Sequence, residues 1–229
     1  IKNSITNLES QKPFVRRAKK MVSNFEKTRE ERMMRHFSWL DDEILKDLFL
    51  EPNDYNCFSY FDELTKLIPS DTSDLNKMLF WEINTFLTDH NLNYTDKLSM
   101  AVGVEVRVPY LDQELVEFAT KIPENLKLKR NETKYILKKV AEKYLPKEVI
   151  YRPKTGFGAP VRDWILNDMD FLIEDYLSEE SINKRGILNF QKVSELIENN
   201  KKGKIDASYP IWSLLAIESW MRQFLDKKE

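Results

Sequence analysis

Apolar residues recur at helical spacing along almost the whole chain, and this periodicity constrains the fold more than any other feature. Phe14, Ala18, Met21, Val22 and Phe25 share one stripe, as do Leu75, Met78, Leu79, Ile83, Phe86 and Leu87. A 3.6-residue period gathers such positions on one face, which must be buried against a neighbour. The pattern returns at Leu115, Phe118, Ala119 and Ile122, then at Leu137, Val140, Ala141 and Tyr144. It continues at Ile165, Met169, Leu172, Ile173 and Tyr176, at Val193 and Ile197, and at Leu214, Leu215 and Trp220 to Phe224. Asp41, Asp112, Asn131 and Asn189 stand where N-caps are expected, and Pro123 and Pro146 where helices should end. With no internal repeat and no Gly/Ser linker, the pattern predicts one continuous all-α, multi-helix domain over residues 1–229.

Charge and cysteine content narrow the function. The 36 Lys and Arg nearly cancel the 38 Asp and Glu, so no overall basic field points to nucleic acid or to an anionic membrane. The basic clusters Lys127–Arg130 and Lys201–Lys204 read as solvated faces. Cys57 is the single cysteine, which excludes an intrachain disulfide and a thiolate metal cluster, and predicts a buried, inert thiol. His36 and His90 lie far apart with no ligand-spaced partner, which predicts surface or helix-end positions and no metal. No apolar run is long enough to span a membrane and no signal-peptide pattern opens the chain, so a cytoplasmic location is expected.

Two short stretches break the helical rhythm. In "GVEVRVPYLD", residues 103–112, Val104, Val106 and Val108 alternate with Glu105 and Arg107. An extended backbone puts the valines on one side and the two charges on the other, about 6 to 7 Å apart. Gly103 permits the turn into this segment and Pro109 stops it. A structural ion pair accounts for the spacing as well as a catalytic pair does. The second stretch, "YRPKTGFGAP", residues 151–160, holds two of the five glycines and two of the nine prolines around Lys154. Gly156 and Gly158 let backbone approach a ligand closely, and Pro160 suits the first turn of the next helix. Arg152, Lys154 and Arg162 surround that helix start with positive charge, a setting that attracts phosphate or carboxylate. A rigid helix connection with solvated basic residues fits equally well.

Placed in order, the two stretches carry a resemblance. "YTDKLSMAVGVEVRVPYLDQELVEFATKIP", residues 94–123, and "TKYILKKVAEKYLPKEVIYRPKTGFGAPVRDWI", residues 133–165, resemble the carboxy-terminal part of the glutamine-hydrolysing asparagine synthetases. "REERMMRHFSWLDDEILKDLF", residues 29–49, and "YPIWSLLAIESWM", residues 209–221, are similar to flanking parts of the same enzymes. Long motifs in order are far more specific than one short pattern.

The resemblance implies an ATP- and Mg2+-dependent ligase that adenylates the side-chain carboxylate of aspartate and makes asparagine with glutamine-derived ammonia. It implies that Lys154 neutralises the phosphates in the transition states, with Gly156 and Arg107 beside it at the nucleotide. It implies that Glu105 orients or deprotonates the attacking group, with Arg107 keeping its carboxylate charged. The family's Ser-Gly-Gly-x-Asp-Ser pyrophosphate loop does not occur in these 229 residues, nor does an amino-terminal glutaminase cysteine. The expectation is therefore the helical end of a longer enzyme, with a homo-oligomer allowed, whose upstream synthetase and glutaminase domains complete it. Such a part is inactive alone and exposes an apolar face. A β-lactam-forming or surface-sugar amide ligase, or a non-catalytic interaction module, would share parts of this pattern.

Overall fold

The computed structural model describes residues 27–38, 40, 42–51, 56, 58–153 and 158–226. The expected stripe at Phe14–Phe25, the cap at Asp41, Cys57, Lys154 and Gly156 lie outside the described residues. Helices dominate, and the only sheet among the described residues pairs two-residue strands, Leu128–Lys129 and Glu132–Thr133. The fold class is all-α. The described residues group into two compact units, one of residues 27–56 and 158–226 and one of residues 58–153.

In the first unit the core gathers Val161, Ile165, Ile173, Leu177, Ile182, Val193, Leu196, Ile211 and Leu215. These come from the helices Asp170–Tyr176, Glu179–Arg185, Phe190–Lys201 and Ser208–Phe224, from Leu177 at the end of the first of these, and from the turns 161–168. Val193 and Ile211 are fully buried, and each such side chain contributes about 1.5–3 kcal/mol by leaving water. The predicted cap at Asn189 forms, its Oδ1 accepting from the Lys192 amide at 3.3 Å. Residue Leu48 joins the core because its segment is laced to the 187–189 loop: the Leu50 amide donates to Ile187 O at 3.0 Å and the Asn189 amide to Leu48 O at 2.8 Å.

Buried polar groups in this unit are paired at specific points. Asn200 Oδ1 accepts from the Ala207 amide at 2.8 Å, which satisfies a donor at the start of the long Ser208–Phe224 helix that Ala207 cannot cap itself. Glu218, also buried, lies midway along that helix. It accepts from Arg185 Nε at 2.8 Å and Nη2 at 2.9 Å, from Arg222 Nε at 2.9 Å and from Ser181 Oγ at 3.1 Å. Burial pushes its carboxyl pKa up, but these hydrogen bonds outweigh burial and hold it below the usual value.

The second unit is built on a continuous helical run, Asp74–Glu82, Ile83–Leu92 and Asn93–Met100. Its middle section is a π-helix. Widened turns release backbone carbonyls from their usual partners, and polar side chains take them up: Asn84 Nδ2 donates to Phe80 O at 2.8 Å and Thr85 Oγ1 to Trp81 O at 2.7 Å. Trp81 is fully buried, packs edge-on against Phe61 with centroids 5.3 Å apart, and donates Nε1–H to Thr65 Oγ1 at 3.1 Å. The helices Gln113–Lys121, Glu124–Lys127, Tyr135–Ala141 and Lys147–Ile150 follow.

One local expectation is corrected and two are extended. Asn131 is not an N-cap but sits with Arg130, at φ 55°, in the turn of the hairpin. Pro123 and Pro146 stand at the starts of short helices and not only after helix ends. Their fixed φ and missing N–H suit a position where the amide has no helical partner. Residues 104–108 are non-helical, as the alternation predicted, but they pair with no strand among the described residues.

Candidate active site

The segment carrying Glu105 and Arg107 is suspended between two helix caps. Upstream, the helix Asn93–Met100 winds down through a Schellman turn: the Val104 amide donates to Ser99 O at 3.0 Å and the Gly103 amide to Met100 O at 3.0 Å. Gly103 takes φ 70° at the left-handed position, and a Cβ there would meet nothing within 4 Å. Glycine is thus demanded by conformation, not by space. Downstream, Pro109 opens a single 3-10 turn, and Asp112 Oδ1 accepts from the Leu115 amide at 3.1 Å to cap Gln113–Lys121. The cap read from sequence forms here as expected.

Between those caps the two charges meet. Arg107 Nη2 lies 2.9 Å from Glu105 Oε1, and both side chains stay open to solvent, at 84% and 68%. The i, i+2 alternation therefore does put both charges on one side. Val104, Val106 and Val108 are half exposed, and Leu98, Val102, Tyr110 and Phe118 are more exposed still. Within the described residues this region is an apolar surface that carries an exposed acid–base pair.

The second stretch is described on both flanks of Lys154–Phe157. On its upstream side the Tyr151 hydroxyl donates to Glu142 Oε1 at 2.5 Å. Lys139 Nζ donates to the same carboxylate oxygen at 2.6 Å and to the Tyr151 hydroxyl at 3.2 Å. Hydrogen bonds from Lys139 and then Tyr151 hold the Glu142 carboxyl below its usual pKa, and the bond to Glu142 raises that of the Tyr151 phenol. On the downstream side Arg162 Nε bridges both oxygens of Asp206, at 3.2 and 3.0 Å, and its guanidinium lies 4.7 Å over the Tyr209 ring.

Arg162 is thus committed to protein partners, and it is not one of three free cations awaiting an anion. The helix that Pro160 opens runs as an α turn from Val161 to Asp163 and widens directly into a π-turn at Trp164–Asp168. Sequence reasoning missed Lys139, Glu142, Tyr151, Asp206 and Tyr209. They are ordinary residue types, and Asp206 and Tyr209 meet Arg162 across 44 and 47 positions, a separation for which periodicity holds no signal. His36 and His90 are exposed as expected, His90 stacking on Phe86 at 4.7 Å. Among the described residues no group of three or more His, Cys, Asp or Glu is placed to hold a metal ion.

Comparison with known proteins decides the family. The family model for asparagine synthase matches residues 6–222. The chain belongs to the asparagine synthase family. It is 35% identical over 159 residues to asparagine synthetase [glutamine-hydrolyzing] 1 of Bacillus subtilis, covering 69% of this chain and 25% of that protein. A putative asparagine synthetase [glutamine-hydrolyzing] of Mycobacterium bovis is 31% identical over 150 residues, 66% of this chain and 23% of its own length. The asparagine synthetase [glutamine-hydrolyzing] of Gallus gallus is 29% identical over 126 residues, 51% of this chain and 22% of its own. The chain thus spans about a quarter of the length of these relatives. No solved structure matches it.

Proposed function

We propose that residues 1–229 form the carboxy-terminal helical part of an asparagine synthase domain, in a cytoplasmic ATP-dependent enzyme that converts aspartate to asparagine with glutamine-derived ammonia. Support comes above all from the family match running through residues 103–112 and 151–160 in order, so that the Glu105 segment and the Lys154 segment fall within one matched region. In this reading a carboxylate oxygen of aspartate attacks the α-phosphorus of ATP and pyrophosphate leaves. Ammonia then attacks the acyl carbon, AMP leaves, and the ammonium proton passes to a base.

Lys154 supplies a fixed positive charge to the phosphate oxygens as negative charge builds on them, which lowers both barriers. Gly156 allows the backbone near it to approach the nucleotide, and Arg107 lies on the same side as Glu105 and faces the phosphates. Glu105, open to solvent and paired to Arg107 at 2.9 Å, orients ammonia or accepts its proton. Mg2+ accompanies ATP in this reading, but the described residues offer no cluster that fits it, and no step here runs through it. The exposed valines and Phe118 suit a face covered by upstream synthetase residues, with a glutaminase domain as the further partner.

The test is aspartate-dependent cleavage of ATP by the complete natural protein. AMP, pyrophosphate and asparagine should appear in equal amounts, while residues 1–229 alone form none. Pyrophosphate release that ignores aspartate and follows another carboxylate would move the chain to a different amide ligase.

A further inference from the structure

Resting on that reading, we propose that Tyr151, Glu142 and Lys139 form a positioning clasp that fixes the backbone three residues ahead of Lys154. Tyr151 is the last residue of its unit tied by both backbone and side chain before the Lys154 segment: its amide donates to Lys147 O at 2.9 Å and its hydroxyl reaches Glu142 at 2.5 Å. Lys139 closes the triangle, bonding Glu142 at 2.6 Å and the Tyr151 hydroxyl at 3.2 Å. The Tyr151 ring is flanked as well, with Lys138 Nζ 5.4 Å and Lys139 Nζ 5.8 Å from its centroid. Pro153, with φ locked by its ring, follows two residues later and passes the direction set at Tyr151 onward.

Geometry and exposure together separate positioning from fold support. Lys139 is nearly half exposed, and an ion pair that open adds little to the stability of a helix surface. The same three bonds, placed two residues ahead of Pro153 and three ahead of Lys154, narrow the direction in which the chain leaves Tyr151. A reacting group displaced by about 1 Å loses about 10²-fold in rate, so modest loosening at Tyr151 is felt at the phosphates. None of the three groups touches substrate in this scheme, and all act through the chain.

The experiment uses the complete natural protein with Tyr151→Phe, Glu142→Gln and Lys139→Arg. Two readouts are taken: steady-state asparagine synthesis and hydrogen exchange of the amides at 152 and 154–159. Tyr151→Phe and Glu142→Gln should lower kcat about tenfold while KM for ATP stays within about twofold, because alignment and not binding is lost. Exchange at those amides should quicken by about fivefold or more, and Lys139→Arg should preserve both readouts. Unchanged exchange in folded Tyr151→Phe overturns the clasp, as does faster exchange with an unaltered kcat. Lys154→Ala is assayed alongside. If it synthesises at the wild-type rate, the role of Lys154 fails, and exchange alone then upholds or overturns the clasp.

Discussion

Replacing Glu218 with alanine should loosen the Ser208–Phe224 helix by about 3 kcal/mol. The carboxylate is buried and accepts hydrogen bonds from two guanidinium groups and a hydroxyl. Removing one member of a buried ion pair costs about 3–5 kcal/mol, chiefly by stranding its partner. Here the partners are not wholly stranded. Arg185 keeps Asp226, with Nη1 and Nη2 each 2.8 Å from a carboxylate oxygen, and Arg222 keeps Asp175 at 2.9 Å. That retention places the loss at the lower end of the range. Native-state hydrogen exchange at amides 211–222 reads it directly, since about 3 kcal/mol is a fall in protection of about 10²-fold. The effect has a defined pH dependence. Because the folded-state pKa of Glu218 is depressed, its contribution is full above the unfolded value of about 4.3 and disappears as pH falls through the folded one. The difference between wild type and Glu218→Ala should therefore narrow below about pH 4. A change in protection under about threefold at neutral pH would refute the reasoning, because the guanidinium groups would then be stable without their buried partner.

Other substitutions test separate parts of the account. Gly103→Ala forces a Cβ into the left-handed region and should cost about 1–2 kcal/mol, seen as faster exchange of the 103 and 104 amides; no steric relief is available, since the site is already open. Asn200→Leu removes the acceptor for the Ala207 amide and should cost about 1–3 kcal/mol of protection at the start of the last helix. Glu105→Gln in the complete protein should abolish the acidic limb of the pH–rate profile for amide formation; an unchanged profile at full rate would reduce Glu105 to the ion partner of Arg107. Asp226, held down to about 2 chiefly by the Arg185 hydrogen bond, should support the end of the last helix at any pH above about 4 and fail only as pH falls toward 2.

What was legible in the sequence was local. The caps at Asp112 and Asn189 are short-range hydrogen bonds between residues three apart, and their chemistry is written in adjacent letters. The pairing of Glu105 with Arg107 follows from residues two apart sharing a side in non-helical backbone. Gly103 was recognisable as a turn because few other residues take its φ. Long-range pairing stayed hidden. Glu218 sits in "LLAIESWM", a run that reads as an apolar stripe, yet its partners Arg185 and Ser181 are 33 and 37 positions upstream. Arg162 read as a free cation for the same reason, its partner Asp206 being 44 residues on. The π-helical turns at 83–92 were also unreadable, because the periods of 3.6 and of a wider turn place Ile83, Phe86 and Leu87 on nearly the same face. At the candidate site, the motif order pointed to the segments, whereas the groups that anchor Tyr151 and Arg162 emerged only from the folded chain.

The central claim is that Lys154 meets the phosphates of a nucleotide during activation of the carboxylate. Exchange of labelled pyrophosphate into ATP, driven by aspartate and compared between the complete wild-type protein and Lys154→Ala, tests it most directly. The account predicts a fall of about 10²-fold or more with glutamine hydrolysis intact, as for loss of a transition-state charge partner. Exchange in Lys154→Ala at the wild-type rate would contradict it.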